Sequence, residues 1–131
     1  MNPQDGEKRR ILIVDDDAHH NRIVSALLRD AGYEVEVAWE SAEAVRKNFD
    51  FRPDLVLLDI MMPRWTGHSA CAAMRAVNPK LPIVVVSAKT APEDVAEGYD
   101  WGCTRYLTKP FDPDLLLRTV RELLGEIPAA T

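Results

Sequence analysis

The chain has 131 residues, enough for one domain with a proper hydrophobic core and no need of disulfides or a structural metal. Twenty-one acidic against 16 basic residues give a net charge of -5, and the longest basic block is Lys8-Arg9-Arg10, which argues against a nucleic-acid footprint within the chain. Two cysteines without CxxC spacing, a polar amino-terminal stretch with no apolar segment behind it, and no apolar run approaching ~18 residues predict a cytoplasmic protein with reduced thiols and no membrane contact.

Runs rich in Val, Ile and Leu at about 11–14, 34–38, 54–58, 83–86 and 104–107 alternate with stretches of helical period, the pattern of repeated βα units. The first strand ends in Asp15-Asp16-Asp17, of which Asp17 is assigned to capping the helix that follows. That helix, about 18–31, is expected to turn Ile23, Leu27 and Ala31 inward and Arg22, Arg29 and Asp30 outward, and to end at a left-handed Gly32. The second strand alternates, with Glu34 and Glu36 on one side, as suits a sheet edge, and Ser41 is expected to cap the second helix. The third strand is continuously apolar and closes on Asp59, and Thr66-Gly67 opens the third helix. The fourth strand runs into Ser87, Thr90-Ala-Pro-Glu93 reads as a capping box, and the fifth strand leads through Tyr106 to Lys109-Pro110. Asp112-Pro113 then caps and starts a last helix carrying Leu115, Leu116, Val120, Leu123 and Leu124.

Five such units with right-handed crossovers predict an α/β doubly wound, flavodoxin-like (βα)5 sandwich, and one of the common arrangements for its parallel sheet is the order 2-1-3-4-5. The domain is placed at 9–124, with 1–8 and 125–131 as flexible ends or the start of a linker. In that order the carboxyl ends of the first and third strands lie side by side, bringing Asp15, Asp16 and Asp59 into one crevice. Carboxylates crowded together repel unless a cation or a proton is taken up, and an all-oxygen set favours Mg2+. Lys109 adds a positive charge and Ser87 a hydroxyl donor, a combination suited to stabilising a transferring phosphoryl group. Taken singly, Ser87 reads as a turn residue and Lys109 as a solvated charge; their joint placement is what carries the reading. Asp59 has no helix pattern within reach to cap, so a cap does not account for it.

The blocks Ile11-Leu-Ile-Val-Asp-Asp-Asp17, Asp54-Leu-Val-Leu-Leu-Asp-Ile-Met-Met-Pro63, Ile83-Val-Val-Val-Ser-Ala88 and Tyr106-Leu-Thr-Lys-Pro-Phe111 resemble the receiver domain of two-component response regulators. The resemblance implies that Asp59 is the phosphoacceptor, that Asp16 binds Mg2+ directly with Asp15 assisting, and that the Met61 carbonyl completes the protein ligands. It also implies that Lys109, through a cis bond to Pro110, contacts the phosphoryl group, and that Ser87 and Tyr106 are the switch pair. The partners would be a histidine kinase or a histidine phosphotransfer protein at the site, and an output domain or partner at the face made by the fourth helix, fifth strand and fifth helix. Ser87 replaces the family's more frequent threonine, and Trp65 stands in a loop where packing is the expected role. His19 and His20, being imidazoles, do not suit Mg2+ and are assigned to partner contact or solvation. Two other functions fit this topology: a flavodoxin-like electron carrier, which needs a phosphate loop where three acids stand, and a haloacid dehalogenase-type phosphohydrolase, whose DxDx[TV] pattern fails at His19.

Overall fold

The computed structural model describes residues 8–60 and 65–128. Strands and helices alternate along the chain: β1 (Arg10–Val14), α1 (Ala18–Asp30), β2 (Glu34–Ala38), α2 (Ser41–Phe51), β3 (Leu55–Asp59), α3 (Gly67–Val77), β4 (Ile83–Ser87), α4 (Pro92–Asp100), β5 (Arg105–Thr108) and α5 (Pro113–Leu123). The five strands pair in parallel in the order β2-β1-β3-β4-β5. Helices on both faces explain why β3 and β4 are apolar without alternation: every residue of each is buried. The period-2 geometry sorts those residues into two cores. Leu12, Val14, Val56, Leu58, Ile83 and Val85 meet α2 and α3 through Ala44, Phe51, Ala70, Cys71 and Met74. Ile11, Ile13, Leu55, Leu57, Val84 and Val86 meet α1 and α5 through Val24, Leu28, Leu116 and Val120.

The edge at β2 is closed to strand addition by side chains rather than by a further strand. Arg29 donates to the Val35 carbonyl at 3.0 Å and Lys47 to the Val37 carbonyl at 2.7 Å, so cations from both flanking helices occupy two outward-facing acceptors. Gly32, at φ +101°, ends α1: its amide bonds to Arg29 and that of Tyr33 to Leu28, the paired bonds of a Schellman turn. Asp17, Thr66 and Asp112 cap α1, α3 and α5 as expected. Among the described residues, no helix is long and apolar enough to cross a membrane.

Three local expectations are corrected. The buried face of α1 is Asn21, Val24, Ser25 and Leu28, and Ile23 is 53% exposed. The helix is rotated because Asn21 can enter the interior, its amide donating to the Asp15 carbonyl at 2.8 Å. Glu40, not Ser41, is the residue before α2, and it makes no side-chain cap; Glu43 instead accepts the Trp39 amide. The residue before α4 is Ala91 rather than Thr90, since Pro92, lacking an amide hydrogen, takes the first helical position and moves the start by one residue.

Candidate functional site

The functional side chains gather at the carboxyl edge of the sheet. Asp59 is the last residue of β3, Asp15 and Asp16 follow β1, Ser87 ends β4, and Lys109 follows β5 through a cis bond to Pro110. Parallel pairing sets β1 beside β3 in register, Val14 opposite Leu58, which is why acids distant in the chain become neighbours. Carboxylate oxygens of Asp15, Asp16 and Asp59 all lie within 4.8 Å of one another. Asp15 and Asp59 are buried, whereas Asp16 reaches solvent.

Lys109 bridges the two buried acids, its ammonium 3.1 Å from Asp15 Oδ2 and 3.5 Å from Asp59 Oδ2. Asp15 is held on every side: Oδ1 accepts the Asp17 amide at 2.9 Å, and Oδ2 faces both Lys109 and His20 Nδ1, the latter at 2.8 Å. Burial alone would raise the Asp15 pKa, but hydrogen bonds from His20, the Asp17 backbone and Lys109 outweigh it and keep the carboxyl far below the usual range. Burial likewise works against the Lys109 ammonium, yet attraction to Asp59 and bonding to Asp15 leave its pKa raised. The donor set fits a hard cation: three carboxylates, no sulfur or imidazole ligand required, and one exposed member through which a partly hydrated ion can enter. Met61, whose carbonyl the family resemblance adds to this set, lies outside the described residues.

On the other flank the groups are neutral. Ser87 is fully buried and its Oγ accepts the Lys89 amide at 3.1 Å. Tyr106 donates from its hydroxyl to the Lys89 carbonyl at 2.9 Å and packs its ring against the α2/α3 core. The backbone of one residue, Lys89, therefore joins Ser87 to Tyr106. The Tyr106 ring lies so close to α4 that a Cβ on Gly98 would stand 2.7 Å from Cδ2. Trp65 packs against the α2/α3 core, in keeping with a loop-packing role.

His20 is not the merely solvated side chain that one of its two assignments expects. Its ring is half-buried, hydrogen-bonded to Asp15 and edge-on to Phe111, with centroids 5.7 Å apart at 83°. It is the third residue of α1 after the Asp17 cap, and a polar side chain there commonly reaches back toward the preceding turn. That spacing was the available signal. Cys71 and Cys103 are buried, and burial raises both thiols, Cys103 to about 11, which agrees with packing rather than chemistry.

The model of the response regulator receiver domain matches residues 11–121. The chain belongs to this family. It is 39% identical over 120 residues to the DNA-binding response regulator MtrA of Mycobacterium tuberculosis, covering 92% of this chain and 52% of that protein. It is 40% identical over 115 residues to the response regulator MprA of a Mycobacterium species, covering 88% and 50%. The receiver thus spans about half the length of the curated relatives it matches. Among solved structures, a CheY-like receiver domain protein from Methanospirillum hungatei superposes with TM-score 0.84 at 30% identity, covering 92% of this chain and 96% of that one. Chemotaxis protein CheY4 of Vibrio cholerae gives 0.82 at 37% identity, covering 88% and 98%. A receiver is a signalling module rather than an enzyme in the ordinary sense, and neither the electron carrier nor the phosphohydrolase reading finds support.

Proposed function

We propose that Asp59 accepts a phosphoryl group from a histidine kinase or histidine phosphotransfer protein, with Mg2+ held by Asp15, Asp16, Asp59 and the Met61 carbonyl. The observation that carries the reading is the convergence of three carboxylates and one ammonium on the edge of β3. A carboxylate oxygen of Asp59 forms the new O–P bond as the P–N bond to the donor imidazole breaks, and the electron pair leaves on that nitrogen. Lys109, already 3.5 Å from Asp59 Oδ2, shifts toward the developing negative charge. When bound, Mg2+ supplies positive charge to the phosphoryl oxygens and relieves the repulsion among the acids. A solved receiver domain of a Pseudomonas aeruginosa sensor histidine kinase, 30% identical with TM-score 0.82, is described with magnesium coordinated in its active-site cleft, which supports the same ion here.

Ser87 then donates its hydroxyl to a phosphoryl oxygen. Because Ser87 Oγ holds the Lys89 amide and Tyr106 holds the Lys89 carbonyl, that movement draws on the loop and on the Tyr106 ring. The surface altered is α4, β5 and α5, where an output domain or partner docks; the relatives named DNA-binding response regulators make control of such an effector the expected use. The folded receiver is taken as 9–124, in the cytoplasm.

Incubation with acetyl phosphate or beryllofluoride and Mg2+ tests the reading. Wild type should be modified at Asp59, and Asp59→Asn or chelation should abolish it. Equal labelling of Asp59→Asn would overturn the assignment.

A further inference from the structure

The half-buried polar side chain that the phosphoryl chemistry leaves unused is His20. A carboxylate is an acceptor only, so Nδ1, 2.8 Å from Asp15 Oδ2, carries the hydrogen of that bond. The opposite nitrogen, Nε2, is buried with no hydrogen-bond partner among the described residues, and the ring edge meets Phe111. A buried unpartnered nitrogen costs stability, and an apolar side chain of similar bulk would fill the space between Asp15 and Phe111 without that cost. Packing therefore gives no reason for histidine at this position; the Nδ1 hydrogen does.

Its use follows from the allocation of lone pairs. Oδ2 of Asp15 serves both His20 and Lys109, and Oδ1 serves the Asp17 amide. Of the two side chains at Asp15 Oδ2, Lys109 also lies 3.5 Å from Asp59 Oδ2, and following a phosphoryl group on Asp59 draws it away from Asp15. With His20 in place, Asp15 keeps its orientation when the ammonium departs. Without it, Oδ2 has Lys109 as its remaining side-chain partner, which ties the cation to Asp15 and leaves the carboxylate loose once that cation moves.

Resting on the proposed phosphoryl-acceptor reading, we infer that His20 is a positioning residue: its Nδ1 hydrogen fixes Asp15 for the divalent cation and releases Lys109 to serve Asp59. Partners that orient metal ligands from outside the coordination sphere are often worth tenfold or more in metal affinity.

The test uses the full chain and three proteins: wild type, His20→Leu, which keeps bulk and removes the donor, and His20→Asn, whose side-chain amide places N–H near the position of Nδ1. Mg2+ affinity is measured by calorimetry, the rate of acetyl phosphate labelling at Asp59 by intact mass, and Tm without metal. His20→Leu should bind Mg2+ about tenfold more weakly and label more slowly, with a lower metal-free Tm because the buried Asp15 carboxylate loses a donor, and His20→Asn should return affinity and labelling to within about threefold. Affinity and labelling of His20→Leu within twofold of wild type would overturn the inference. So would no recovery in His20→Asn, since that marks a merely structural role. A wild type that binds Mg2+ and is labelled at Asp59 keeps the phosphoryl-acceptor reading intact in each of those cases; a wild type that does neither removes both.

Discussion

The two flanks of the phosphoryl site are built from different materials. Toward α1 and α5, Asp15, His20 and Lys109 form a charged cluster in which one carboxylate oxygen takes two side-chain partners. Toward α4, Ser87 and Tyr106 hold the backbone of Lys89 with two neutral hydrogen bonds, and Lys89 itself is exposed. Buried charges are expensive to disturb, whereas a neutral bond at a wet loop is worth on the order of 1 kcal/mol. The first flank is therefore suited to holding geometry fixed, and the second to changing it.

The sharpest way to break this contrast is Lys109→Met. Removing the cation leaves Asp15 and Asp59 without it and should destabilise the metal-free fold by about 3 kcal/mol, the lower end for one partner of a buried pair. Mg2+ should restore part of the loss. Denaturant melts with and without the ion would show it, and an unchanged midpoint in both would refute the contrast. A smaller effect should come from acid. The Asp15 pKa is depressed in the fold, so its contribution is full above the ordinary value of 3.8 and is lost as pH falls from there through the lower folded value. Asp15→Asn should flatten that acid limb in urea melts taken between pH 5 and 2, and Ser87→Ala should leave it unchanged.

On the neutral flank the effects are smaller and local. Gly98→Ala sets a methyl against the Tyr106 ring; overpacking of about 1–2 kcal/mol is partly offset by a helix-propensity gain of about 1 kcal/mol. The ring should shift and the Lys89 carbonyl lose its donor, read as faster amide exchange in the β4–α4 loop. Tyr106→Phe should cost about 0.5–1 kcal/mol and speed exchange at the same loop without altering Mg2+ affinity. A change in that affinity would show that the flanks are not separable in the resting state.

Much of this was legible in the residues. The apolar runs gave the strands, and continuous apolarity in β3 and β4 gave their position between two helical layers. Asp59 stood out because it closes such a run with no helix near enough to cap, while Asp17 was separable from Asp15 and Asp16 because one helix needs one cap. The face of α1 was not legible: Ile23-Leu27 and Val24-Leu28 are overlapping apolar pairs of equal spacing, and the bond from Asn21 to the Asp15 carbonyl that accompanies the observed rotation forms only in the packed structure. The role of His20 is not legible either, since the bond to Asp15 that draws it inward forms only in three dimensions.

Hydrophobic period, cap residues and acids at strand ends are local properties, so the chain by itself determined the order of elements and the chemistry at the carboxyl edge. Which side of a helix turns inward, and which of two oxygens takes which cation, depends on groups distant along the chain meeting at hydrogen-bond range. Lys109 and Asp15 are 94 residues apart, and only the packed sheet, by fixing β1, β3 and β5 as parallel strands of one sheet, lets the Lys109 ammonium donate to Asp15 Oδ2.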